Sequence, residues 1–342
     1  MSAFDTPLGA AEGGPITVEK VSAPSVIFPR VLDYTMLSTW KTCPHKFFRE
    51  HVQGLRRARP NIHLHFGGAV AKGLEVARRG FVSHGDAKDA VTDGCEAVIA
   101  AWGTAFDDFT PVTRTERNKT LANALLALQE YFREWPLDDE DVTIHTHNGE
   151  PCVEFSFALP IPGSRHPDTG EPLLYAGRFD FIGDYQRSIY GVDDKTASVD
   201  PRNDMWRNQW KLRGQFSGYC WGAREYGMSM KGFLVRGMGI LTDSVRCGQV
   251  IVARPPWMVD AWLRQMQVDI ANMCEQYYLL LDQNKHRPTD LKFAHAFSQS
   301  FADACADFGG CSFLDLCASK DPSVWYGEYV ERRWNPLTRE EM

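Results

Sequence analysis

Tyr175-Ala-Gly-Arg-Phe-Asp180-Phe-Ile-Gly-Asp-Tyr185-Gln-Arg-Ser-Ile-Tyr190-Gly-Val-Asp-Asp-Lys195-Thr-Ala-Ser198 is the stretch on which the fold of this chain turns. It predicts two strands, Tyr175–Asp184 and Ser188–Lys195, joined by a polar turn. Ile189, Tyr190 and Val192 supply strand-type residues to the second. A hairpin sets Asp180 on one strand near Asp193 on the other. Strand side chains alternate faces, so Asp193 and Lys195 share a face and Asp194 points away. Two carboxylates and one ammonium on one surface suit a hard cation such as Mg²⁺ or Mn²⁺. A lysine beside such an ion can hold or activate a water for attack on phosphorus. Asp-Asp-Lys after a strand is also a common solvated turn, so the rest of the chain must decide.

A chain of 342 residues can bury a large core, as one elaborated domain or two. Its apolar and charged fractions are those of a globular protein. The net charge of −7 excludes a global field that attracts nucleic acid, so DNA binding would need local patches and a metal. Arg56, Arg57 and Arg59, then Arg78 and Arg79, are candidate patches, or scattered surface charge. No apolar run of membrane-spanning length occurs, and the N-terminus lacks a basic segment followed by an apolar one. Nine cysteines without a secretory signal favour a cytoplasmic setting with free or metal-bound thiols.

Residues 1–31, rich in Gly, Ala, Pro and Ser, read as a flexible tail, and 32–337 as a single domain. Ser38 is placed to cap a short helix carrying Trp40 and Cys43. Helices are expected over 66–81, 86–102, 115–135, 203–226 and 255–284, and strands over 142–146, 153–159, 232–240 and 249–253. Glu75 lies near the apolar face of the first helix, where an acid needs a cation, either a metal or an Arg such as Arg78 or Arg79. Gln215 and Tyr219 share a helix face one turn apart and can hydrogen-bond phosphate or base edges. Met258, Trp262, Met266, Ile270 and Tyr277 form a core stripe. Cys305, Cys311 and Cys317 are spaced six apart, two of them flanking Gly-Gly. Three thiolates leave a tetrahedral site one ligand short, and Cys43 is the natural fourth. Four thiolates suit a [4Fe–4S] cluster or Zn²⁺.

In order along the chain, Ser38 with Cys43-Pro44, Phe66-Gly-Gly-Ala-Val-Ala-Lys-Gly-Leu-Glu75, Gly177-Arg-Phe-Asp180, Asp193-Asp-Lys195, Gln215-x-x-x-Tyr219 and the last three cysteines resemble the PD-(D/E)XK nuclease superfamily. The resemblance is to its RecB-like exonuclease branch, akin to CRISPR-associated RecB-like and AddB nuclease domains with an iron–sulfur staple. It implies an α/β fold with a mixed central sheet flanked by helices, a restriction-endonuclease-like core with a helical insertion. It also implies a Mg²⁺- or Mn²⁺-dependent deoxyribonuclease, an exonuclease on single-stranded or free DNA ends. Phage or bacterial recombination, repair or processing, a helicase or recombination partner and the bacterial cytoplasm belong to the same implication.

By that resemblance Asp180, Asp193, Glu75 and the backbone carbonyl of Asp194 ligate the metal. Lys195 positions the attacking water, Gln215 and Tyr219 contact DNA or orient the site, and Cys43, Cys305, Cys311 and Cys317 hold the cluster. Two departures stand. Ala71 occupies the position of the family's metal-binding His, with His65 at the wrong spacing to replace it. Cys305 lies six residues before Cys311, where the family has three. Two other functions remain compatible with these residues: a DNA-binding protein of the same fold weakened in cleavage, and a structural zinc protein.

Overall fold

The computed structural model describes residues 24–58, 61–286, 296–301, 305–306 and 310–341. At its centre is a five-stranded mixed sheet. From one edge to the other its strands are Val245–Ala253, Met230–Ile240, Ser188–Ala197, Phe181–Tyr185 and Val142–Ile144. All neighbours are antiparallel except Ser188–Ala197 and Met230–Ile240, which run parallel. A parallel pair needs a crossover, and the helix Gly214–Glu225 lies in that connection.

The expected first strand of the hairpin is split between two sheets. Leu174–Arg178 joins a smaller sheet with Val31–Leu32 and Ser156–Pro160, and Phe181–Tyr185 joins the main one. Phe179 and Asp180 lie at the switch, which leaves Asp180 at the mouth of the hairpin rather than within a ladder. Gln186 and Arg187 both have positive φ, 47° and 61°. This is the two-residue turn whose twist matches its strands.

Two cores cover the two faces. The helices Tyr34–Thr42, Gly214–Glu225 and Pro256–His286 bury Phe216, Phe233, Val235, Met266, Ile270 and Tyr277 on one side. The helices Ile62–His84, Ala87–Trp102 and Leu121–Glu134 pack as a separate group against Met238 and Ile240 on the other. Within that group a Cβ on Gly73 would fall 2.4 Å from Val98 Cγ2 and 2.9 Å from the Gly94 carbonyl oxygen, so the first two helices touch almost backbone to backbone. The architecture is the expected mixed α/β one, a central mixed sheet flanked by helices. Among the described residues no helix is long and apolar enough to cross a membrane.

Several boundaries differ from expectation for local reasons. Asp33, not Ser38, caps the first helix, its Oδ1 accepting from the Met36 amide at 2.9 Å. Asn61 caps Ile62–His84, which starts before the expected Phe66. The expected 115–135 helix is interrupted, and Thr120 caps its second part, Leu121–Glu134. The 203–226 helix breaks between Asp204–Asn208 and Gly214–Glu225. There the buried Arg254 guanidinium donates to the Trp210 and Arg213 carbonyls at 3.1 and 2.9 Å, satisfying backbone that a continuous helix would have paired.

The body also begins before Leu32. The Ile27 amide donates to the Val52 carbonyl at 3.0 Å and Phe28 is buried. The rest of the expected tail, residues 1–23, lies outside the described residues.

Candidate metal-dependent active site

Face alternation in Ser188–Ala197 sends Asp193 and Asp194 to opposite sides of the sheet. Asp193 is buried on the side of the helix Gly214–Glu225. Its Oδ1 accepts from Gln215 Nε2 at 3.0 Å, and its Oδ2 lies 2.5 Å from Lys195 Nζ. Burial pushes the Asp193 carboxyl up to about 6, and Asp180 adds to the rise while Lys195 works against it. Burial disfavours the Lys195 ammonium, but Asp193 and Asp180 overcome that and hold the amine charged, with its pKa raised. Asp180 Oδ2 accepts from the Asp194 amide at 2.7 Å, which ties the sheet switch to the Asp-Asp-Lys strand. Burial and the Asp194 carboxylate both raise its carboxyl.

Asp194 turns its side chain to the helical side. Oδ2 meets Arg78 Nη2 at 2.5 Å, and Oδ1 accepts from the Tyr131 hydroxyl at 2.8 Å. That hydroxyl also accepts from Arg78 at 2.8 Å and from Arg236 at 3.1 Å. Arg236 is the register partner of Asp194 on the neighbouring strand. The Arg78 guanidinium lies 4.4 Å over the Phe181 ring. Asp194 thus has its charge matched on the far face, and only its backbone faces the site residues.

Glu154 is an acid that the sequence reading passed over. It has a left-handed backbone, φ 55°, and its amide donates to the Asp180 carbonyl at 3.0 Å. Its carboxylate lies 2.5 Å from Arg178 Nε. Burial, then Asp180, pushes it up to about 7, and Glu75 contributes to the rise. Glu75 is half-buried on Ile62–His84, held by Lys72 at 3.1 Å and Arg79 at 3.2 Å rather than by Arg78. Ala71 on the same helix is exposed and offers no ligand atom.

Tyr219 is buried against Phe157 and Phe179, and a Cβ on Gly177 would lie 2.7 Å from its ring, so only glycine fits beside it. Its hydroxyl is pushed up to about 12 by burial and then by Asp193. Gln215 therefore holds the acid directly, and Tyr219 forms part of the wall beside Lys195.

The candidate patches are spent elsewhere. Arg56 pairs with Glu50 and Glu341, Arg57 with Asp315 and Arg79 with Glu75, and Arg78 is buried. Arg59 lies outside the described residues.

All nine cysteines are free thiols. Cys43 precedes the turn Pro44–Phe47, Cys311 donates its amide to the Cys305 carbonyl at 2.8 Å, and Cys317 sits in the helix Leu314–Ala318. Burial pushes the Cys317 thiol up to about 11, against the Arg49 guanidinium, and the thiols of Cys311, Cys43 and Cys305 add to the rise. Cys317 thus lies within electrostatic reach of Cys43, Cys305 and Cys311.

Among the described residues no group of three or more His, Cys, Asp or Glu side chains is arranged, as it stands, to hold a metal ion. The acids are drawn to donors of their own chain: Asp193 to Lys195, Asp194 to Arg78, Glu154 to Arg178. The donor set nonetheless fits a divalent cation. Asp180, Asp193 and Glu154 all have raised pKa values, chiefly from burial, with Asp194 adding to the rise of Asp180 and Asp180 to that of Asp193 and Glu154, the condition that added positive charge relieves. Their oxygens are the hard ligands that Mg²⁺ and Mn²⁺ take.

Residues 32–317 match the family model of the PD-(D/E)XK nuclease superfamily. No curated protein matches the sequence. Among solved structures, the chain is similar to the crystal structure of SSO0001 at 13% identity and a TM-score of 0.26, covering 59% of this chain and 74% of that one.

Proposed function

Because this chain belongs to the PD-(D/E)XK nuclease superfamily, we propose that it is a Mg²⁺- or Mn²⁺-dependent deoxyribonuclease acting as an exonuclease on DNA with single-stranded or free ends. The observation that carries the reading is the buried Asp193 carboxylate paired with the half-buried Lys195 beside Asp180, open on one side to a basic cleft. Asp180, Asp193, Glu75 and the Asp194 backbone carbonyl are the proposed metal ligands, and Glu154 adds negative charge next to them.

The ion supplies positive charge that polarises the phosphate and acidifies water. The chain's own residues do the rest. Gln215 fixes the Asp193 carboxylate in one orientation, and the Asp194 amide fixes Asp180. Lys195, kept charged by two carboxylates, orients water and offsets negative charge building on the phosphorus oxygens. Tyr219 and Gly177 shape the wall against which the strand lies.

The test is incubation of the purified protein with single- and double-stranded DNA carrying free ends. Cleavage with Mn²⁺ that EDTA stops is the expected result. Binding without cleavage under any divalent ion would favour the weakened DNA-binding protein, for which Ala71 is the supporting residue.

We also propose that Cys43, Cys305, Cys311 and Cys317 hold a [4Fe–4S] cluster that fastens the two ends of a single nuclease domain, 32–337. The influence of the other three thiols on Cys317 supports this reading. Anaerobically purified protein is expected to be brown and to carry iron and sulfide. A colourless protein with one zinc would replace the cluster by Zn²⁺. On this reading the enzyme works in the bacterial cytoplasm in DNA recombination, repair or processing, with a helicase or recombination protein as its partner.

A further inference from the structure

Beside Lys195 opens a cleft of about 380 Å³. Five cationic side chains line it, Lys46, Arg178, Lys195, Arg213 and Arg339, against one carboxylate, Asp33. That carboxylate is occupied: Oδ1 accepts from the Met36 amide and Oδ2 from Trp334 Nε1 at 2.7 Å. Arg178 and Lys195 are held by Glu154 and Asp193. Lys46, Arg213 and Arg339 form no ion pair among the described residues. Arg213 Nε is buried without a hydrogen-bond acceptor, and its guanidinium lies 4.9 Å over the Tyr34 ring. In a chain of net charge −7, such a local excess of positive charge marks a seat for a polyanion.

One wall of this cleft lies outside the family match, which ends at residue 317. Trp334, Pro336 and Arg339 come from the segment after it. That segment is held by the pairing of Trp334–Asn335 with Glu340–Glu341, by the Arg339 amide on the Asn335 carbonyl at 2.7 Å, and by the Trp334–Asp33 bond. The first helix also lines the cleft, with Tyr34 and Ser38. A space of this volume is of small-molecule size and takes about one or two nucleotides of one strand rather than a duplex.

We propose that this cleft seats a single nucleic-acid strand on its way to Lys195, with Arg213 and Arg339 each on a backbone phosphate and Tyr34 and Trp334 as aromatic walls for its bases. Arginine forks are the fitting donors for phosphate oxygens, and aromatic faces accept any base. The segment after the family match thereby selects single strands. This proposal rests on the nuclease reading of the adjoining acids, and its test separates the two.

The experiment is fluorescence anisotropy of the full chain with a labelled oligothymidylate and with a blunt duplex, in EDTA, over a series of salt concentrations. Wild-type protein is expected to bind the single strand more tightly than the duplex. The Arg213→Ala/Arg339→Ala variant should lose affinity for the single strand by about tenfold or more, with the slope of log K against log salt shallower by about 1.4. Thermal melts check that the variant folds. A measurement on unaltered protein stands beside it: oligothymidylate should protect Arg213 and Arg339 from phenylglyoxal. Equal affinity for duplex, unchanged affinity and slope in the variant, or no protection would each overturn the proposal. Failure of the nuclease reading looks different: oligonucleotide binding persists, but no divalent ion brings cleavage.

Discussion

Lys195→Ala is expected to lower kcat for DNA cleavage by roughly 10²–10³ or more. Losses of this size follow when a preorganised group facing developing charge is removed from an active site. Lys195 is such a group. It sits one strand position pair from Asp193 on the same face, its Nζ is 2.5 Å from the carboxylate, and its ammonium is kept charged by two acids. It contributes where phosphate charge changes, so the effect should fall on kcat rather than KM. Arg at this position should rescue poorly, because a planar fork does not reproduce a compact point charge. A variant that retains wild-type kcat would remove Lys195 from the chemistry and with it the proposed mechanism.

The second large effect concerns stability. Arg78→Leu is expected to destabilise the fold by about 3–5 kcal/mol, the usual result of leaving one member of a buried ion pair without its partner. For a chain of this length that is a fall in Tm of about 4–7 °C. Arg78 and Asp194 are both almost wholly buried, and their charges meet nowhere near water. Asp194 keeps the Tyr131 hydroxyl in the variant, but no cation at hydrogen-bonding distance. Replacing both, as Arg78→Leu/Asp194→Leu, should recover most of the loss, since the cost lies in the orphaned charge. A calorimetric melt decides it: a single variant within about 1 °C of wild type would mean that the pair contributes nothing measurable.

The alternation of Asp193, Asp194 and Lys195 could be read directly, because strand periodicity fixes which side chains share a face. The helical face of Gln215 and Tyr219 was equally legible, since both spacings are local. The break at Phe179–Asp180 was not. Gly177-Arg-Phe-Asp keeps a strand-like composition across the point where the chain leaves one sheet for the other, and only partner strands reveal the change.

Glu154 did leave a trace, a single acid in the apolar run Cys152-Val-Glu-Phe-Ser-Phe157, where burial makes an unpaired carboxylate costly. The Arg78–Asp194–Tyr131–Arg236 network left none, because its members come from two helices and two strands. The cleft was hidden for the same reason: Tyr34 and Arg339 stand near opposite ends of the sequence, and only tertiary structure makes them neighbours.

The strand Tyr329–Glu331 lies antiparallel to Leu55–Arg57, joining the last part of the chain to nearly the first. Contacts of such sequence separation close late, after the entropy of the intervening loop has been overcome. The wall that Trp334 and Arg339 contribute to the cleft therefore depends on a pairing that forms after the local hairpin of the Asp-Asp-Lys strand has closed.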